Sequence, residues 1–396
     1  MPDRPGAGLD YAQAAGGGQV VRLLALVGPI VFVDAMLFGA LAPLLPRYAE
    51  SLGLSKGGAG LLVAALGAGM LVAALPAGIA ARRLGPKRTT VIGLLLLAVA
   101  SLAFGLAGSV WMLELSRFVQ GVASATTWAG ALTWITSAAP PERRGEAIGA
   151  AFGAAVFGAI VGPMFGAVAV TVGVGESFGA VSAVSVLLAA CAAASPAFPI
   201  EAQTAGALVR AVRDVSFLQA LWFTSLPAVL FSVLSLLGPL ALSRGGFGAL
   251  AIGVTFFAAG IVEVVINPLL GRLSDGIGRR VPTQLALAAS VIVSVLLALS
   301  STPAAIVALV CAAGIAFGGL NTPGIALVSD RAQAAGLAQG VAFGALVLAW
   351  GAGNLAGPLV AGFLAERGGD AVPYFAAGAL CLLTLLASRG TRAEPG

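Results

Sequence analysis

Apolar residues run along this chain in long blocks, with the polar residues gathered into short stretches between them. Twelve blocks approach the ~20 residues that a helix needs to cross the hydrocarbon of a bilayer. They cover 21–45, 58–81, 89–108, 111–138, 146–172 and 177–195, then 217–242, 249–271, 283–300, 304–328, 334–364 and 372–388. A polar stretch, Pro196 to Ser216, divides them six and six. The pattern predicts an all-α polytopic membrane protein: a tail at 1–19, a six-helix bundle at 20–195, a linker at 196–216, a second six-helix bundle at 217–390 and a tail at 391–396. The first 19 residues lack a basic segment followed by an apolar core, so a short tail is expected there and not a cleavable signal.

Composition supports this reading. Of 396 residues 59% are hydrophobic and 9% charged, against about 25% charged in a soluble domain. Mean hydropathy is +1.03. Histidine is absent, which removes the commonest general base and metal ligand. No Gly-rich phosphate loop of the G-x-x-x-x-G-K-[ST] type is present. Cys191, Cys311 and Cys381 stand in apolar runs as packing residues. No catalytic residue, metal site or cofactor is expected, and the chain is not read as an enzyme.

The basic residues set the topology. With the N-terminus in the cytoplasm, 16 of the 21 Lys and Arg lie on the cytoplasmic side, as the positive-inside rule requires. Both termini and the linker are then cytoplasmic in a cell (inner or plasma) membrane. The net charge of +5 is accounted for by topology, and no nucleic-acid partner is expected.

The halves repeat. After the second span stands Gly78-Ile-Ala-Ala-Arg82-Arg83-Leu-Gly85-Pro-Lys87-Arg88; after the eighth stands Gly271-Arg272-Leu-Ser-Asp275-Gly-Ile-Gly278-Arg279-Arg280. In the fifth span Gly158, Gly162, Pro163 and Gly166 form a small-residue face; in the eleventh Gly353, Asn354, Gly357 and Pro358 do the same. Both pairs of marks are offset by about half the chain, the pattern of parallel repeats that rock around a central site.

The two basic, glycine-framed turns resemble the signature loop of the major facilitator superfamily. With the six-plus-six layout, the resemblance covers essentially the whole chain and implies the twelve-helix major facilitator fold, a small-molecule substrate and no cofactor. The family's loop has an acid four residues after its first glycine. Asp275 fills that place in the second copy and Arg82 in the first, which leaves more of the cytoplasmic latch to Asp275. Span 4 carries Glu114-Leu-Ser-Arg117-Phe-Val-Gln120-Gly121, which looks like the family's membrane-embedded arginine motif. Gly158 to Gly166 resembles the Gly-Pro motif of the family's drug–proton antiporters.

Embedded charges are the candidate chemistry. Asp34 falls near the middle of span 1, between Arg22 and Arg47, where an acid costs about 2.5–3.5 kcal/mol on insertion scales. Arg117 needs an acceptor; Glu114 and Asp34 are the two candidates. Glu263 in span 8, one turn before Asn267, has no basic residue in any span of its own half. Asp34, Glu263, Arg117 and Glu114 are therefore the candidate proton-coupling groups. Phe32, Trp128, Asn321, Trp350 and Asn354 are candidate cavity residues. These features point to a monomeric secondary transporter that exports a small, largely apolar compound or drug in exchange for protons. The rival reading is proton-coupled uptake of a sugar or other metabolite. A membrane sensor or enzyme stands further off, with no soluble domain and no catalytic cluster to support it.

Overall fold

The computed structural model describes residues 17–140, 143–198, 214–278, 280–334 and 339–390. These are helical throughout. The first half holds α1 (Gly17–Gly39), α2 (Leu41–Ser51), α3 (Lys56–Leu84), α4 (Pro86–Gly105), α5 (Val110–Ala138), α6 (Arg144–Val172) and α7 (Val174–Ala194). The second holds α8 (Val215–Arg244), α9 (Ala249–Ile277), α10 (Arg280–Leu299), α11 (Pro303–Gly318), α12 (Asn321–Ala334), α13 (Gln339–Gly368) and α14 (Ala371–Gly390). Most of the 196–216 linker lies outside the described residues.

Each predicted span falls on a helix, in order. Among the described residues, ten helical units are long and apolar enough to cross a membrane. The other two are α5, which has 29 residues but carries Glu114, Arg117 and Gln120, and α11, which has 16 and is continued by α12. Two expected spans are interrupted. Span 1 is broken at Ala40, between α1 and α2, where the backbone itself stays near helical (φ −63°, ψ −26°), and span 10 turns at Gly319 and Leu320, between α11 and α12. The cause is the same in both. Pro43 follows Gly39 by four residues, and Pro323 follows Gly319 by four. Proline has no N–H to donate to the carbonyl four residues back.

Helix pairing repeats with the halves. In the first half α1 packs on α6, α3 on α5 and α4 on α7; in the second α8 packs on α13, α9 on α11 and α10 on α14. The halves meet along two matching seams, α3 on α13 and α6 on α9. The signature turns match as well. Gly85 and Gly278 both have left-handed backbones, φ 89° and 82°, a conformation glycine adopts without a Cβ penalty.

The halves are closed at one end. From Gly57 to Gly67, α3 runs against Pro358, Gly362 and Glu366 of α13, and the contact continues to Met70 beside Gly351. Toward the end carrying the α3–α4 turn they separate: a Cβ added at Gly78 or Gly344 would meet no atom within 4 Å.

Candidate functional site

Asp34 lies on α1 and is buried, 7% exposed. Two donors one helical turn apart on α5 hold it. Ser124 Oγ and Trp128 Nε1 both donate to Asp34 Oδ2, each at 2.8 Å. The second oxygen, Oδ1, is buried with no protein partner. A buried acceptor without a donor is costly. Trp128 also stacks on Phe152, with ring centroids 5.2 Å apart, and Phe32 stacks on Phe157 at 5.6 Å. The carboxylate thus sits between α1 and α5, bonded to the Trp128 ring, with Phe152 of α6 against the same ring.

Arg117 is buried as well, 3% exposed, but it pairs with neither expected acid. Its Nη1 donates to the Leu37 carbonyl at 3.1 Å and to Gln120 Oε1 at 3.0 Å. The Leu37 carbonyl lies one residue into the last turn before the interruption, and the guanidinium fastens that turn to α5. Glu114 is half-buried on α5, one turn from Arg117 in sequence. The expectation of a Glu114–Arg117 or Asp34–Arg117 pair is corrected to an arginine that holds the backbone three residues after Asp34.

The Gly-Pro face of α6 packs directly on α1. A Cβ at Gly158 would collide with the Phe32 carbonyl, one at Gly162 with the Met36 carbonyl, and one at Gly166 with the Ala40 carbonyl. The Pro163 ring lies beside Gly39 of α1, while its carbonyl faces the other half, where Gly253 of α9 rests on it. So α6 touches the helix that carries Asp34 on one face and the partner half on the other.

Glu263 forms the second polar cluster. Asn321 Nδ2 donates to Glu263 Oε1 at 3.3 Å, and Asn267 bonds the same carboxyl. Asn321 opens α12 at the interruption of span 10, and Gly318 leaves room for the acid: a Cβ there would lie 2.6 Å from Glu263 Cγ. Both embedded acids therefore sit beside a broken span. That matters because interrupted helices free backbone groups at membrane depth and recur at transporter binding sites.

The remaining candidates divide. Asn354 is buried, and its Nδ2 donates to the Trp350 carbonyl in its own helix at 2.9 Å. Its backbone is the surface against which Gly67 packs, so it serves the α3–α13 seam. Trp350 is half-buried against the cluster of Leu66, Met70, Ala73 and Ala125. In the first signature turn Arg82, Arg83 and Arg88 are exposed and Lys87 half-buried. In the second, Arg280 is exposed and donates to the Ser388 carbonyl at 3.4 Å. The side chains of Gly271 through Ile277, Asp275 among them, and residue Arg279 lie outside the described residues. Sequence reasoning missed Ser124. Its signal was position: it lies one turn before Trp128 on the helix face that meets α1.

The chain is 29% identical over 119 residues to the quinolone resistance protein NorA of Staphylococcus aureus (strain MRSA252), a match spanning 30% of this chain and 31% of that protein. It is 25% identical over 349 residues to multidrug resistance protein 2 of Bacillus subtilis (strain 168), spanning 84% of this chain and 86% of that one. Among solved structures it shares its fold with an inward-facing, unoccupied bacterial homologue of the human lysosomal transporter Spinster, at TM-score 0.78, 16% identity and coverage of 96% of this chain and 100% of that one. It shares it also with the nucleoside transporter NupG, at TM-score 0.72, 15% identity and coverage of 93% and 100%. The Major Facilitator Superfamily profile matches residues 27–346. With the repeated helix pairing, the two signature turns and this match, the chain belongs to the major facilitator superfamily of membrane transporters.

Proposed function

We propose that the protein exports a small, largely apolar compound in exchange for protons, by alternating exposure of a central site between the two halves. The observation that carries this is Asp34: a buried carboxylate in α1, fixed through one oxygen by Ser124 and Trp128, with the other oxygen unpartnered. Such a group is costly in a membrane, and an exchanger needs one that takes a proton on one face and gives it up on the other. The Trp128 ring bonded to it, with Phe152 against that ring, suits an apolar compound. Glu263, beside the second interruption, is the second proton-binding candidate. Similarity to two drug resistance proteins supports export over uptake. In this reading the protein acts as a monomer in the cell membrane with both termini in the cytoplasm, and the open end of the structure faces inward.

The test is transport in liposomes containing the purified protein, with a panel of apolar dyes and drugs and an imposed pH gradient. Gradient-driven accumulation that Asp34→Asn abolishes at normal protein level supports the reading. Transport indifferent to the gradient in the unaltered protein overturns it.

A further inference from the structure

The closed end is held by a charge network that neither the embedded acids nor the signature turns involve. Asp370 lies in the link between α13 and α14. Lys56, the first residue of α3, reaches across from the other half and donates to Asp370 Oδ1 at 2.5 Å. Arg244, the last residue of α8, donates to Asp370 Oδ2 from within the same half. Glu366, near the end of α13, crosses in the opposite sense. Its Oε2 accepts from the Gly57 backbone N–H at 3.0 Å and from Ser55 Oγ at 3.2 Å. It thereby supplies a negative charge to the amino end of α3, where the helix dipole favours one.

The network has no copy on the matching seam. The offsets of the repeat place Ala249 where Lys56 stands, Thr171 where Glu366 stands and Gly175 where Asp370 stands. Lys56 and Ala249 each begin their helix, so the correspondence is structural as well as sequential. Among the described residues the α6–α9 seam is closed by packing, through Gly253 on Pro163 and Gly260 on Ile160. The halves are thus bolted by charge on one side of the pseudo-twofold axis and by packing on the other.

We infer that Lys56, Asp370, Arg244 and Glu366 form an ionic latch that holds this end of the transporter shut, and that its release is the step that opens the site at this end. Arg244 aims the Asp370 carboxylate, and Lys56 and the amino end of α3 are what the second half grips. Separating the halves breaks the Lys56 pair and both Glu366 bonds, and leaves the Arg244 pair within its half. Charged pairs at this depth are half in water, so the latch tunes an equilibrium and does not fix it. The asymmetry also makes the opening a hinge: the α3–α13 seam parts first when the latch is weakened, and the α6–α9 seam follows.

The experiment places spin labels at Leu106 and Ser301, exposed positions on opposite halves at the closed end and away from the latch. They are introduced as cysteines after replacement of Cys191, Cys311 and Cys381, in the full chain in lipid nanodiscs. The otherwise unaltered protein should give one short distance. Lys56→Met and Asp370→Asn should each add a longer distance, raising the ratio of open to closed by about fivefold, the scale of a partly exposed ion pair. Lys56→Arg should restore the short distance. Thr171→Ala, on the matching seam, should change nothing. If either variant folds poorly, as judged by its melting temperature, the other still decides. A single short distance in a well-folded Lys56→Met or Asp370→Asn protein, or equal opening by Thr171→Ala, overturns the latch.

Discussion

Trp128 Nε1 and Asp34 Oδ2 lie 2.8 Å apart across the α1–α5 contact, and Ser124 Oγ lies at the same distance from the same oxygen. Two donors on one oxygen make the site tolerant of an amide. The Oδ1 of an asparagine accepts both bonds, while its NH2 replaces the unpartnered carboxylate oxygen. Asp34→Asn is therefore expected to fold and reach the membrane at normal abundance and to lose gradient-driven transport. Asp34→Leu strands two buried donors, each costing about 1–3 kcal/mol, and should lower abundance as well. Protein level and transport measured side by side separate the two effects.

The α6 face gives a packing prediction with an internal control. Gly162→Ala drives a Cβ into the Met36 carbonyl, whereas a Cβ at Gly153 of the same helix meets nothing within 4 Å. Overpacking of this kind costs about 1–3 kcal/mol, and removing an unconstrained helical glycine gains about 0.5–1 kcal/mol. Melting in detergent should show Gly162→Ala less stable than the unaltered protein and Gly153→Ala equal or more stable. Equal melting of the two variants would mean that α6 and α1 do not pack backbone to backbone.

Arg117 makes two bonds in different directions, to Leu37 on α1 and to Gln120 on its own helix. Both bonds leave the one Nη1 nitrogen; a lysine carries enough N–H donors but places its ammonium about one bond short of that point, and a methionine serves neither. Arg117→Lys should keep most of the stability and lose part of the transport. Arg117→Met should lose both, because it strands the buried Leu37 carbonyl and Gln120 together. If Arg117→Met melts like the unaltered protein, the arginine does not fasten the last turn of α1 to α5.

How much of this was legible in the sequence follows from what each feature depends on. The spans, the repeat and the Gly-Pro face are local and periodic, so hydropathy and spacing carry them. The interruptions at Ala40 and Gly319 had a local sign too, a proline four residues after a glycine, but it is diluted among the prolines that α3, α6, α8 and α13 absorb without a break. The partner of Arg117 was not legible, because a backbone carbonyl as acceptor leaves no mark on residue identity. Nor was the Lys56–Asp370 pair. Lys56 is one charge in a short polar break between spans 1 and 2, and its partner is 314 residues away.

The latch has a definite pH response. In the closed state burial pulls the Asp370 carboxyl upward, but its bonds to Lys56 and Arg244 outweigh that and hold it below the usual carboxylate range. Once the halves part, the Lys56 contribution is gone and the carboxyl moves back toward its ordinary value. A group depressed in one state stabilises that state above its free pKa, near 4 for an aspartate, and loses the effect as pH falls through the depressed value. Between pH 8 and 5 the latch should therefore be unchanged, and it should loosen only below about pH 4. In a protein carrying both Asp34→Asn and Glu263→Gln, the Leu106–Ser301 distance should stay constant from pH 8 to 5. A lengthening within that range would assign the gate to some other titrating group.

Glu263 and Asp34 compete for the role of coupling group, and Gly318 provides a way to separate them. Glu263→Gln keeps an oxygen to accept from Asn321 and removes only the ability to titrate. Gly318→Ala keeps the carboxyl but forces it aside, because the new Cβ would lie 2.6 Å from Glu263 Cγ. If Glu263 binds the coupling proton, both variants should uncouple transport from the gradient while Asp34→Asn spares it. If Glu263 only fastens α9 to the start of α12, Glu263→Gln should transport normally. Gly318→Ala should then melt lower by the cost of overpacking, about 1–3 kcal/mol, and Gly318→Ala with Glu263→Ala should recover much of that loss by restoring the space. The proposed assignment to Asp34 predicts the second set of results. Uncoupling by Glu263→Gln alone, at normal protein level, would move the proton site to the interruption of span 10 and leave Asp34 as a structural acid held by Ser124 and Trp128.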